Sequence, residues 1–217
     1  MGFGELFYNE KQQNDHRIAG VVLAVVTGYV DPKDDPEGLR KVKINFPWRG
    51  EETENCLARV ASLMAGKERG LFFYPEIGDE VLVAFEQGNI NYPYIIGALW
   101  NGENKPPEIN SDGNNDIKLI RSRSGHTIKI DDTDGNEKIE IADKTEKNII
   151  LIDSKNNSIS FKCDGDIEIS APNGKVTINA MDLELKSSAS TKIEASVGVD
   201  LKASGSMNIK GATVNIN

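Results

Sequence analysis

A chain of 217 residues with 27% charged and 38% hydrophobic residues can hold one large domain or two small ones, and its polarity points to a soluble protein without a membrane span. Its net charge of −9 argues against general binding to nucleic acid phosphate or acidic membrane surfaces. Cys56 and Cys163 lie far apart, so thiols are expected rather than a disulfide framework, and with only His16 and His126 beside them no zinc set is available. No cofactor is expected. The start, MGFGELFYNEKQQNDHR, lacks the basic segment, apolar run and cleavage site of an export signal, which predicts a cytoplasmic origin.

Residues 1–16 read as an N-terminal adaptor segment. From Arg17 the pattern is that of strands. RIAGVVLAVVTGYV is a long β-branched stretch that closes at a loop carrying Pro32, Pro36 and Gly38. LRKVKINFPW sets Val42, Ile44 and Phe46 against Lys41, Lys43 and Asn45, giving one apolar face. CLARVASLMAG, DEVLVAFEQG and YPYIIGALW supply three further strand candidates. Five short strands without a convincing helix fit a Greek-key barrel of the OB type over 17–105, with a small sandwich as the alternative.

Composition then changes. Both tryptophans, all five tyrosines and seven of eight prolines lie at or before residue 116; beyond it the aromatics and prolines reduce to Phe161 and Pro172. NGENKPPEINSDGNND reads as linker, and the boundary is placed at 106–121.

From residue 122 apolar residues come in pairs two apart: Ile128/Ile130, Ile139/Ile141, Ile150/Ile152, Ile159/Phe161, Ile167/Ile169, Val176/Ile178, Leu183/Leu185, Ile193/Ala195, Val199/Leu201, Met207/Ile209 and Val214/Ile216. The residue between them is polar or charged except Leu151, as a strand with one wet face requires. Turn residues such as Asp134-Gly135, Asn156-Asn157 and Asn173-Gly174 separate the pairs. A short recurring unit of this kind predicts a solenoid or prism. Each pair faces one way and must be covered, since a large aliphatic side chain left in water forfeits about 1.5–3 kcal/mol. Either one chain coils on itself or three chains share one axis, and periodicity does not choose.

Three ordered motifs add a resemblance. The runs PEIGDEVLVAF, YPYIIGALWNG and SGHTIKIDD resemble the spike proteins of contractile injection systems, namely the baseplate protein V family of contractile-tailed phages and the VgrG proteins of type VI secretion. The resemblance implies an all-β chain: an OB-type barrel followed, over 122–217, by an intertwined homotrimeric triple-stranded β-helix. The paired residues other than Ala195 would form the trimer core. It implies a structural spike that pierces a target envelope on sheath contraction, and no enzyme. Implied partners are two further copies, a separate hub or baseplate protein on the N-terminal side, the inner tube indirectly, the target membrane transiently, and a PAAR-type tip protein at the C-terminal end. Met207, Ile209, Val214, Ile216 and Asn217 would dock that tip. Assembly in the bacterial cytoplasm, incorporation into a baseplate or virion and ejection on contraction would follow. A separate hub is expected because only residues 1–16 precede Arg17, where VgrG-type chains carry a large hub domain. Self-tipped phage spikes end in a His-x-His iron site; no histidine follows His126, so no tip metal is transferred.

Other readings attach to particular residues. His126 as a general base lacks a surrounding constellation, and a structural role is favoured. Asp131, Asp132 and Asp134 resemble part of a calcium loop but lack its glycine and terminal glutamate, which favours turn formation. Phe46, Trp48 or Tyr74 could stack single-stranded nucleic acid beside Arg40, Lys41, Lys43 and Arg49, although Glu51, Glu52 and Glu54 oppose it. The alternatives in function are a β-helical polysaccharide-degrading enzyme with paired carboxylates in a groove, and a passive solenoid adhesin.

Overall fold

The computed structural model describes residues 17–49 and 56–216. The adaptor segment 1–16, the acidic run Glu51, Glu52 and Glu54, and Asn217 lie outside the described residues. Contact density divides the chain into two compact units, one ending at Gly165 and one beginning at Asp166.

The first unit opens with a closed barrel. β1 (Val21–Tyr29), β2 (Val42–Asn45), β3 (Cys56–Val60), β6 (Glu80–Phe85) and β7 (Pro93–Leu99) close in the order β1-β2-β3-β7-β6. Neighbours are antiparallel except β3 and β7, which run parallel. Closure removes the sandwich alternative. Alternation in the sequence becomes inside and outside here: Val42, Ile44 and Phe46 are 0%, 0% and 1% exposed, while Lys43 and Asn45 between them are half-buried. Ala24, Val26, Ala58, Val81, Val83, Phe85 and Ile95 complete the core.

CLARVASLMAG does not form one strand. β3 ends at Val60, and Ala65–Gly66 (β4) instead pairs with Arg69–Gly70 (β5) in a separate hairpin. At the bend the Ser62 hydroxyl shares its proton between the Leu71 and Met64 carbonyls, at 2.6 and 3.1 Å, which holds the chain in the hairpin conformation instead of the ladder.

Beyond the barrel the same unit holds a five-stranded meander: β8 (Ile117–Arg121), β9 (Thr127–Asp131), β10 (Lys138–Ala142), β11 (Ile149–Asp153) and β12 (Ser158–Lys162). β8 lies inside the stretch read as linker. Every ladder in this sheet is antiparallel and runs between neighbouring strands of one chain. Between 117 and 162 the backbone ladders therefore close within one copy. Turns make local return possible. Asp131, Asp143 and Asp153 each stand at or just beyond the end of a strand and accept hydrogen bonds from side chains two to five residues on, namely those of Thr133, Thr145 and Asn148, and Asn156.

The second unit is different. No strand occurs among its described residues, 166–216, and the one turn bond found among them runs from the Gly174 N–H to the Ala171 carbonyl, 3.1 Å. Its ion pairs are local, Lys186–Glu184 at 2.7 Å and Lys192–Glu194 at 2.5 Å.

Candidate functional site: an uncovered isoleucine face

In the meander the register places the predicted pairs side by side. Ile120, Ile128, Ile141, Ile150 and Phe161 form one row across the five strands, because Ile128 opposes both Ile120 and Ile141, Ile150 opposes Ile141, and Phe161 opposes Ile150. Ile130, Ile139, Ile152 and Ile159 form a second row, two residues along. Interior members such as Ile130, Ile139 and Ile152 are 40–41% exposed, and Ile159 and Phe161 on the edge strand reach 65% and 68%. These side chains stand on one face of the sheet, solvent-exposed among the described residues of this unit, with Ile120, Ile128 and Ile130 lining a cavity beside Trp100 and Pro107, at a spacing set by strands about 4.8 Å apart.

The first strand modifies the pattern. Lys118 opposes Ile130 and so occupies the second row at β8. Its ammonium group escapes the apolar row by turning back to the Asn115 carbonyl. Sequence pairing missed Ile120, because Lys118 breaks the two-apart signal that marks every later strand.

The opposite face mixes charged residues with Ile117, Leu119, Ile149 and Leu151, and its charges neutralise one another. Asp131 is 5% exposed and lies 3.3 Å from the Lys129 ammonium and 3.8 Å from that of Lys138. The Thr133 hydroxyl donates to Asp131 at 2.6 Å, and this bond, helped by the Thr133 N–H and Lys129, holds the carboxyl below its ordinary range against the opposing effect of burial. Asp143 is lowered chiefly by Thr145, and Asp153 by Asn156. Asp131 thus serves as turn former and charge hub. Leu151, the exception in the sequence pattern, lies on this face between Glu140 and Ser160 and is half-buried.

His126 belongs to the β8–β9 turn. The Ser122 N–H donates to its carbonyl at 2.9 Å, its own N–H donates to the Ser122 hydroxyl at 3.0 Å, and its Nδ1 accepts from the Lys144 N–H at 3.3 Å. Arg123 in the same turn reaches Glu76 of the barrel, 2.5 Å. The stacking reading for Phe46 fails on burial, since that ring is 1% exposed and packs on Trp48 and Phe85, with centroids 5.7 Å away in each case.

In the second unit the remaining predicted core residues are also uncovered. Ile167, Ile169, Ile178, Leu185, Ile193, Leu201 and Ile209 are 62–75% exposed, and Val176, Leu183, Val199, Met207, Val214 and Ile216 are exposed as well. Met207, Ile209, Val214 and Ile216, the predicted tip-docking residues, are not gathered onto a common sheet there.

Comparison with known proteins bears on what covers these rows. Residues 26–100 match the type VI secretion system/phage-baseplate injector OB domain. The chain is 30% identical over 149 residues to the type VI secretion system spike protein VgrG1a of Pseudomonas aeruginosa, covering 63% of this chain and 23% of that one. It is 31% identical over 132 residues to the spike protein VgrG5 of the same organism, covering 57% and 17%. It is 32% identical over 108 residues to the actin cross-linking toxin VgrG1 of Vibrio cholerae, covering 48% and 10%. The chain therefore spans about a quarter or less of the length of these curated relatives.

Proposed function

We propose, on the premise that this chain is a VgrG-like member of the injector spike family by its OB domain, that it is the structural needle of a contractile injection system and works as a homotrimer. The carrying observation is the two-row isoleucine face, whose side chains remain 40–68% exposed in one copy.

Nine side chains (Ile120, Ile128, Ile130, Ile139, Ile141, Ile150, Ile152, Ile159 and Phe161) retain 40–68% of their exposure, so roughly half of their burial energy is still to be gained. At about 1 kcal/mol each, covering them is worth on the order of 10 kcal/mol per copy. Three such sheets, packed face inward around a threefold axis, cover one another and leave the opposite faces outward. Threefold association is a closed point group that identical copies can form without leaving an open end around the ring.

Residues 166–216 reach the same end by another route. A stretch with alternating apolar residues and without self-paired strands has backbone N–H and C=O groups to satisfy, and strands from two other copies satisfy them. The intertwined β-helix is therefore assigned to this stretch. Its terminal residues Met207, Ile209, Val214 and Ile216 would present the surface for a tip protein.

The assembly acts mechanically and carries no reaction. Piercing needs a rod that does not buckle, and a filled apolar interior leaves no void into which a wall could fold. A hub or baseplate protein would join the trimer to the inner tube, the whole being assembled in the bacterial cytoplasm and driven through a target membrane on contraction. Light scattering on the purified chain tests the assembly, with three times the chain mass expected; a compact single chain would refute it. Binding of a PAAR-type protein to the full chain, lost on truncation before Met207, tests the tip.

A further inference from the structure

The barrel carries a second uncovered apolar surface. The β4–β5 hairpin has a fixed shape: the Ser62 hydroxyl holds the Met64 and Leu71 carbonyls, and the Leu71 N–H donates to Met64 at 3.0 Å. Gly70, at φ +150°, lets the two arms approach, since a Cβ there would stand 2.4 Å from the Met64 carbonyl oxygen. Yet its flanks put Leu63, Met64, Phe72 and Phe73 in solvent at 94%, 52%, 76% and 68% exposure. Those four side chains present roughly 400–600 Å² of apolar surface, the size at which a patch on a single chain marks an interaction site. A hairpin already held in shape loses little entropy on docking.

A matching surface lies elsewhere on the barrel. On the outward side of β1 and β6, Val21 and Leu23 are 50% and 46% exposed, and Leu23 lies opposite Leu82. Around the closed ring β3, which leads into the hairpin, is separated from β1 by β2 and from β6 by β7. The Phe72 ring stacks on Tyr74, 5.2 Å, which in turn lies 6.0 Å from Tyr29 at the end of β1, whereas Val21 and Leu23 stand at its beginning, so the two patches sit toward opposite ends of β1, roughly 20 Å apart along the strand. Charge supports the match: the hairpin tip carries Lys67 and Arg69 with one Glu68, and the outward face of β6 begins at Glu80 and ends next to Glu86.

We infer that the hairpin of one copy seats on the outward β1–β6 face of the next copy, so that the OB domains close head to tail into a ring. This rests on the threefold reading and adds a contact outside the isoleucine face. A patch and counter-patch at different places on a subunit form a heterologous contact, the kind that closes into rings.

Two measurements test it. In Phe72→Cys/Leu23→Cys, both positions being exposed, mild oxidation should give covalently linked copies up to trimer on a denaturing gel, whereas neither single variant should exceed the background set by Cys56 and Cys163. Hydroxyl-radical footprinting of the unaltered protein should show Met64 and Phe72 modified several-fold more slowly in the trimer than in an Ile139→Asp variant that does not assemble. Solution mass is measured alongside. A trimer with no specific cross-link and with fully reactive Met64 and Phe72 overturns the ring while leaving the needle intact; a single-chain mass for the unaltered protein overturns both.

Discussion

Ile139→Asp places a carboxylate in the middle of the meander. Ile139 stands on the central strand, opposite Ile130 on one side and Ile152 on the other, and is 40% exposed in one copy. In a trimer that exposure vanishes, so each copy loses about 1 kcal/mol of burial on substitution. An unpaired carboxylate confined among isoleucines costs several kcal/mol more, and three of them face one another. With roughly 3–4 kcal/mol per copy, the trimer loses about 10 kcal/mol, which is about seven powers of ten in its dissociation constant. Light scattering across a concentration series reads the change directly, and far-UV circular dichroism checks that β structure survives. Glu140→Lys is the control, since Glu140 is the next residue and points to the opposite face beside Lys129 and Leu151. Loss of assembly in Ile139→Asp with retention in Glu140→Lys is expected. A trimer that tolerates the aspartate, or that fails equally with the lysine, would show that the isoleucine rows are not the shared surface.

Three further outcomes are expected. The carboxyls of Asp131, Asp143 and Asp153 are lowered in the folded chain, so their contribution is complete above the unfolded value and disappears as pH falls through the folded ones. Melting temperature should hold steady from pH 7 to about 5 and drop below about 4; a maximum in strong acid would contradict the turn assignments. Phe46→Ala, which empties the position between Trp48 and Phe85, should cost about 3–5 kcal/mol in chemical denaturation of the barrel, and a loss under 1 kcal/mol would show that the ring is not a core element. A chain truncated before Met207 should lose binding of a PAAR-type protein by surface plasmon resonance while remaining trimeric; undiminished binding would place the tip site elsewhere.

The barrel strands were legible where side chains alternate. Val42, Ile44 and Phe46 announce their burial because alternation at a period of two admits one inward face. The β4–β5 hairpin was not legible, because SLMAG continues the apolar character of β3 while the bend is held by a hydroxyl bonded to two carbonyls and by a glycine at positive φ. Such bonds leave no trace in hydropathy. In the meander the pairs revealed which residues share a face, and they are the residues the register brings together. They could not reveal which strand each one pairs with. That choice belongs to the turns, where Asp131 with Thr133 and Asp143 with Thr145 fold the chain straight back on itself. An aspartate two residues before a threonine at successive strand ends is a sequence signal for local return, and it favours an antiparallel sheet over strands exchanged between chains.

In the proposed trimer that distinction would decide how load is borne. In the meander, hydrogen bonds between strands lie along the direction in which the strands stack, so five strands span roughly 19 Å of length through bonds internal to each copy. Sliding one copy against another there would break apolar contacts and leave the ladders whole. From Asp166 onward no strand pairs with another in the same copy, and an interchain ladder would resist any separation of the three chains through backbone bonds. On the proposed reading, residues 117–162 fold before they assemble, whereas 166–216 acquire their strands by assembling. Deuterium exchange on Ile139→Asp should separate the two: amides of β9 to β11 stay protected in the unassembled chain, and those of 166–216 exchange freely. Protection of the distal amides in a single chain would mean that they fold alone, and the intertwined assignment would fall while the meander interface stood.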